Sequence, residues 1–346
     1  MASFIVFGCW NRNEKECSLL NPQTPVALVI QSLVELEKKN PCDFYLILGD
    51  NQYPEKEEKS DKTEKDKKTE KTDKKDKKDK TKKAKTYNVF NMLSGFRCLS
   101  HLQSYKYILF GNHDTDNPSL KLYIDDHPEE CMILKNQIKF MNENVQFQFP
   151  GKKLTMTRVI GEDVLIMLDS TIYTDIEYEC YKVLYPDITG SIQEALMAKQ
   201  KQEVVDFFFN RTFRNIIVAM HHPVITVKKE AHEIYHPEMY RLLFLLDSFR
   251  IKKDPLTVFS ADYHIYLEAN IVLEAEDRKL KIKQYIAGTG GAKLDAYHKD
   301  FDTEVKGSIP GFSFRYNAVK KQEVSHGYLH CQLNDELTAQ FVPIKT

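Results

Sequence analysis

Five short apolar runs in this sequence each end in side chains that can hold a metal ion or move a proton. FIVF leads into Gly8-Cys9-Trp10-Asn11, FYLIL into Gly49-Asp50-Asn51-Gln52-Tyr53, and YILF into Gly111-Asn112-His113-Asp114. Further along, NIIVAM leads into His221-His222-Pro223 and LTVFS into Ala261-Asp262-Tyr263-His264. Thiolate, carboxylate, phenolate, carboxamide oxygen and imidazole are between them the donors that hold divalent and trivalent cations. Taken singly, each group reads as something plainer: an Asp after Gly as a turn or a helix cap, the His-His-Pro run as a surface loop, the GNHD run as a tight turn. Five such groups at five strand ends carry more. In an α/β sheet, neighbouring strand ends open onto one crevice, where residues far apart in sequence converge.

The elements that must position them follow from the pattern. Strands are expected at Phe4 to Phe7, Phe44 to Leu48, Tyr107 to Phe110, Val164 to Leu168, Ile216 to Met220, Leu256 to Ser260 and Lys283 to Ala287, all short and apolar. A helix begins after Thr24, with Thr24 as its cap, Pro25 in its first turn and Val26, Val29, Leu33 and Leu36 on one face. Further helices are expected at Asn88 to Leu102, Ile192 to Phe209 and Pro237 to Phe249.

The order of the blocks resembles the calcineurin-like metallophosphoesterases, from Phe7 to His264. Tyr53, three residues after Asp50, and the GNHD run resemble the purple acid phosphatases. Cys9 in the first block and Asp262 in the last resemble PhoD-type alkaline phosphatases, whereas most of the superfamily has Asp and His there. Leu168-Asp169-Ser170, the Gly288-Thr289-Gly290-Gly291 run and Gly327-Tyr328-Leu329 resemble later conserved blocks of such domains. The resemblance implies an α/β fold with mixed β-sheets in a central sandwich flanked by helices, formed by residues 1–346 as one metallophosphoesterase domain.

It also implies two metal ions and a phosphate-ester substrate, monoester or diester, attacked by water activated between the ions. One ion would take Cys9, Asp50, Tyr53 and His264, and the thiolate and phenolate, both anionic donors, suit iron. The other would take Asp50 as a bridge, Asn112, His221 and Asp262, a harder set that suits Mn, Mg, Ca or Zn. His113, beside a ligand, would stabilise charge or protonate the leaving group, with Asp114 orienting it. His222 is either a phosphate contact or a pocket wall. Two other readings stay open: a scaffold that has kept the fold without turnover, motivated by Cys9 and Asp262, and a nuclease of the same superfamily.

Composition narrows these choices. With 42% hydrophobic residues and a formal charge of -1, the chain has the make-up of a folded protein. The stretch Glu55 to Thr86 is almost wholly Lys, Asp, Glu and Thr; it reads as a disordered insertion within the domain. It holds 15 of the chain's 49 Lys and Arg but only 10 of its 50 Asp and Glu, so the remainder is mildly acidic. That counts against a surface for nucleic acid. No apolar run is long enough for a membrane span, no signal peptide is evident, and the seven cysteines, odd in number and without CxxC spacing, read as reduced thiols. These features give the expectation of a cytoplasmic or otherwise intracellular protein. Cys17, Cys42, Cys98, Cys131, Cys180 and Cys331 are expected as buried small residues, and Trp10 at the rim of the crevice. His101, His127, His232, His236, His298, His326 and His330 are expected as surface or capping side chains.

Overall fold

The computed structural model describes residues 1–12, 16–53, 89–115, 131–174, 179–228, 231–233, 235–276, 278–296, 304–319 and 323–345. The expected insertion at 55–86 lies outside them.

With elements numbered along the chain, six strands, β1 (Ala2–Phe7), β2 (Phe44–Ile47), β3 (Tyr105–Ile108), β4 (Phe147–Gln148), β15 (Gly327–Leu333) and β16 (Leu337–Pro343), form one sheet. Their order is β16-β15-β1-β2-β3-β4; β1 to β4 run parallel, and β15 joins β1 antiparallel. Eight strands form the second sheet: β5 (Thr155–Ile160), β6 (Asp163–Leu168), β7 (Ile216–Ala219), β10 (Leu256–Ser260), β11 (Tyr266–Ala275), β12 (Arg278–Ala287), β13 (Glu304–Ile309) and β14 (Phe312–Ala318). Their order is β13-β14-β11-β12-β10-β7-β6-β5, with β6, β7, β10 and β12 parallel to one another. A two-stranded ribbon, β8 (Thr226–Lys228) with β9 (Ala231–Glu233), stands apart.

Side chains alternate across a strand, and here both faces of the central strands are covered. Phe4 and Val6 of β1, with Phe44 and Leu46 of β2, meet Leu165, Met167, Ile217, Ala219 and Phe259 from the second sheet in one apolar layer between the sheets. Ile5, Phe7, Tyr45 and Ile47, pointing the other way, pack with Val26, Val29, Ile30 and Leu33 of helix α1 (Pro25–Lys39) and with α2 (Val89–Leu99) and α3 (Met132–Asn142). On the outer face of the second sheet, Val164, Ile166, Val218 and Val258 pack with α5 (Ile192–Phe208) and α6 (Pro237–Ser248). This double burial is why the strands read as unbroken apolar runs. The result is a mixed-sheet sandwich flanked by helices, as expected.

The first helix starts where its capping signal places it: the Thr24 hydroxyl accepts from the Ala27 amide at 3.3 Å, and Pro25 opens the helix. The cysteine reading needs correcting. Cys131, at the entry to α3, and Cys180, in α4 (Glu179–Leu184), form a disulfide with Cα atoms 5.4 Å apart. It joins the helical layer over the first sheet to α4, whose Tyr181 and Tyr185 lie in the cluster over the second. A pairing across 49 residues leaves no spacing signature, so only the fold reveals it. Cys9, Cys17, Cys42, Cys98 and Cys331 are free and buried. His236 does cap a helix, accepting from the Glu238 amide, but His326 is buried rather than on the surface. Among the described residues, no helix is long and apolar enough to cross a membrane.

Candidate metal centre

The five motif-bearing strand ends come from both sheets: β1, β2 and β3 are neighbours in the first, β7 and β10 in the second. A side chain on a regular strand points above or below its sheet, so reaching past the strand end demands a break in the backbone. Cys9, Asp50 and Asp262 supply it, with φ of 50°, 52° and 61°, three of the six non-glycine residues with positive φ among those described. L-residues enter this left-handed region at a cost of about 1–2 kcal/mol each, and such strain gathers where a side chain must be aimed for function.

Gly49, at φ 88°, completes the turn: a Cβ there would lie 2.6 Å from the Gly111 amide nitrogen and 2.9 Å from the His221 ring. Gly111 is equally pressed, because its missing side chain leaves room for the Asp50 carboxylate. The first block is stitched to the glycine run beyond β12, with Gly290 N–H donating to Gly8 O at 3.0 Å and Ala292 N–H to Cys9 O at 2.9 Å.

Around Asp50, which is 1% exposed, two groups of donors assemble. On its Oδ2 side, the Tyr53 hydroxyl donates at 2.9 Å and the Cys9 thiol lies at 4.0 Å. The Tyr53 oxygen is also 2.9 Å from His264 Nε2. On its Oδ1 side stand His221 Nε2 at 3.3 Å and the His113 amide at 3.2 Å. His221 Nε2 is in turn 3.1 Å from Asn112 Oδ1 and 3.8 Å from Asp262 Oδ1. The seven residues expected as ligands thus lie close together around Asp50.

The chemistry of this donor set suits cations. His221 Nδ1 faces the Leu48 carbonyl at 2.6 Å, and His264 Nδ1 faces the Lys293 carbonyl at 2.6 Å. A carbonyl can only accept, so each Nδ1 carries a proton and each Nε2 is the nitrogen turned to the centre, the orientation of a metal-binding imidazole. Burial first, and the Asp50 charge second, push the Cys9 thiol and the Tyr53 phenol well above their usual ranges. Both donors therefore need a cation before they ionise. Ligand atoms of Cys9, Asp50 and His221 lie within 4.8 Å of one another, as do those of His221, His222 and Asp262.

With this geometry established, the chain can be compared with known proteins. No family model matches it, and no curated protein matches it. Among solved structures, it is similar to the purple acid phosphatase PPD1 from seeds of yellow lupin (Lupinus luteus), with a TM-score of 0.50 over 99% of this chain and 51% of that one, at 10% identity. The fold resembles that of a purple acid phosphatase. At such low identity the likeness concerns architecture, and this chain spans about half the length of that phosphatase.

Within this purple acid phosphatase-like fold, the remaining expected residues fall around the centre. His113 is partly exposed, its ring 5.0 Å from that of Tyr53. Asp114 is fully buried and accepts from the Asn51 amide at 2.9 Å, Asn51 Nδ2 at 3.0 Å, Gly111 N–H at 2.7 Å and Gln137 Nε2 at 2.9 Å. These bonds fix the turn on which His113 stands. His222 is 5% exposed, its Nδ1 3.0 Å from Ser170 Oγ, and burial keeps its ring neutral by holding its pKa well below the usual imidazole value.

Trp10 is a correction: it lies not at the rim but wholly buried, packed edge-on against Phe7 and Phe96. Sequence reasoning passed over two supports. One is Asn51, which accepts from the Trp10 indole at 2.9 Å. The other is the pair formed by Asp169, whose carboxyl burial pushes up to about 6, and Tyr181, which donates to it at 2.7 Å. Each looks ordinary in sequence, since neither Asn51 nor Tyr181 has a spacing that marks it.

Proposed function

We propose that this chain is a metal-dependent phosphoesterase hydrolysing a phosphate monoester or diester. One ion is held by Cys9, Asp50, Tyr53 and His264, and the second by Asp50, Asn112, His221 and Asp262. The observation that carries this reading is Asp50, whose two carboxylate oxygens face two separate groups of donors as a bridging ligand must. The purple acid phosphatase-like fold supports the substrate class.

Bound cations supply Lewis-acid polarisation of phosphoryl oxygens and acidify a water in the site. Cys9 and Tyr53, ionised on binding, match a trivalent ion such as iron, while Asp262 makes the second position a harder set suited to Mn, Mg or Ca, with Zn also accommodated. His113, partly exposed with its ring 5.0 Å from that of Tyr53, protonates the leaving oxygen or stabilises the charge developing on it. His222, kept neutral and anchored through Ser170, contacts a phosphate oxygen.

Hydrolysis of an aryl phosphate is therefore expected to fall at least about tenfold when the protein is stripped with a chelator, and to return on adding back ions. Full activity in chelator would overturn the reading; two bound ions with no turnover on mono- or diesters would favour the scaffold.

Cys9 gives a sharper test. Cys9→Ala removes an anionic donor and is expected to lower the metal content, whereas Cys9→Asp supplies another anion and is expected to keep metal and measurable activity. If the thiol is only packed in the core, the ranking reverses, because a buried unpaired aspartate destabilises the fold by several kcal/mol. Metal analysis and melting curves of both variants separate the cases. Iron bound by Cys9 and Tyr53 would absorb visible light, in a band that Tyr53→Phe shifts or bleaches.

A further inference from the structure

We propose that Asn51 is a positioning residue that fixes the placement of Cys9, Asp50 and Asn112 relative to one another by tying the loops carrying Cys9 and Asn112 onto Asp50. The proposal rests on the two-ion reading above. Asn51 follows Asp50 directly and is completely buried. Its Oδ1 accepts from Trp10 Nε1 at 2.9 Å, and Trp10 follows Cys9. Its Nδ2 donates to the Leu109 carbonyl, just beyond the end of β3, at 2.9 Å, and to Asp114 Oδ2 at 3.0 Å. Its backbone N–H donates to Asp114 Oδ1 at 2.9 Å.

Only one orientation of the carboxamide satisfies these partners. An indole N–H can only donate and a backbone carbonyl can only accept, so a flipped amide would lose the bonds to both Trp10 and Leu109. The network continues through Asp114 to Gly111 N–H and Gln137 Nε2 and so spans the turn that presents Asn112 and His113. One side chain therefore joins the ends of β1, β2 and β3 just beneath the three residues that would ligate from them. Cys9 and Asp50 both occupy left-handed backbone, which side-chain bonds of this kind hold in place. Tyr53, His221 and His264 receive none of the Asn51 bonds, so its effect on the two ions is transmitted through Cys9, Asp50 and Asn112.

The test uses the full chain, stripped of metal and titrated with Co2+ alone. Calorimetry counts the ions, and the thiolate-to-cobalt charge-transfer band reports on Cys9. Trp10→Phe deletes one donor to Asn51 while keeping an aromatic ring between Phe7 and Phe96; Asn51→Ser deletes the carboxamide. Wild type is expected to take up two ions. Trp10→Phe is expected to bind the Cys9-side ion about tenfold more weakly with a shifted band, and Asn51→Ser to weaken both ions by about 10–100-fold, the usual loss when a partner of a metal ligand is removed. Circular dichroism establishes folding, and Trp10→Phe carries the test if Asn51→Ser does not fold. Wild-type affinities and an unchanged band in the folded variants would overturn the positioning role and leave the proposed function standing. A wild-type chain that takes up no Co2+ would overturn both.

Discussion

Asp50→Ala is expected to reduce hydrolysis of an aryl phosphate below a tenth of wild type and to strip the protein of bound metal while leaving it folded. The loss follows from the position of the carboxylate: one oxygen faces Tyr53 and Cys9, the other His221 and the His113 amide. Removing it takes a shared ligand from both groups at once, so neither ion keeps its full set. Folding should survive because the losses and gains in the metal-free chain nearly offset. The Tyr53 hydroxyl and the His113 amide each lose a hydrogen bond worth about 1 kcal/mol. Against that, a carboxylate only 1% exposed no longer has to be held out of water. Metal analysis, turnover and a melting curve on the same preparation check all three statements. Retained turnover above a tenth would remove Asp50 from the bridging position.

The second large effect concerns stability. Replacing Cys131 and Cys180 together with serine is expected to destabilise the protein by about 4 kcal/mol, the chain-entropy cost of releasing a closed loop of this length. The bridge spans 49 residues and joins α4 to the start of α3, with both cysteines in the core cluster over the first sheet. Denaturant unfolding of the double variant, and of wild type in a strong reductant, should show the same lowered midpoint. A wild-type midpoint indifferent to reductant would mean that the two sulfurs contribute nothing as a bridge. Disulfides persist where surroundings oxidise thiols. The bridge therefore bears directly on the expectation of an intracellular protein, which drew in part on reading every cysteine as reduced.

What could be read from sequence was what local pattern encodes. β1, β2, β7 and β10 stood out because both of their faces are covered, and α1 because Thr24 and Pro25 mark its start. The long hairpin of β11 and β12 was largely hidden. In Tyr266–Ala275 the apolar run is broken by Glu268, which is buried yet paired with Lys283 at 3.1 Å across the hairpin. The early part of Arg278–Ala287 alternates with lysines on an open face, so only its apolar end read as a strand. β13 and β14 alternate exposed and buried residues in the same way.

At the site, donors at strand ends were legible because side-chain type announces chemistry. The depth of Trp10, the bonds of Asn51 and the partner of Cys131 were not, because each depends on which distant segments meet.

The place of β1 in its sheet has a consequence for how the molecule is made. Residues 2–7 lie between β2, some forty positions on, and β15, whose register pairs Ala2 with Leu333 and Val6 with Leu329. On a ribosome, β1 must wait for β15, more than three hundred residues further along, before its second edge is covered. Until then, an apolar segment with unpaired backbone groups stands open to any other strand. Chains cut short before Gly327 should therefore clump rather than persist as soluble fragments, and assembly should be slow, since its decisive pairing joins segments more than three hundred residues apart.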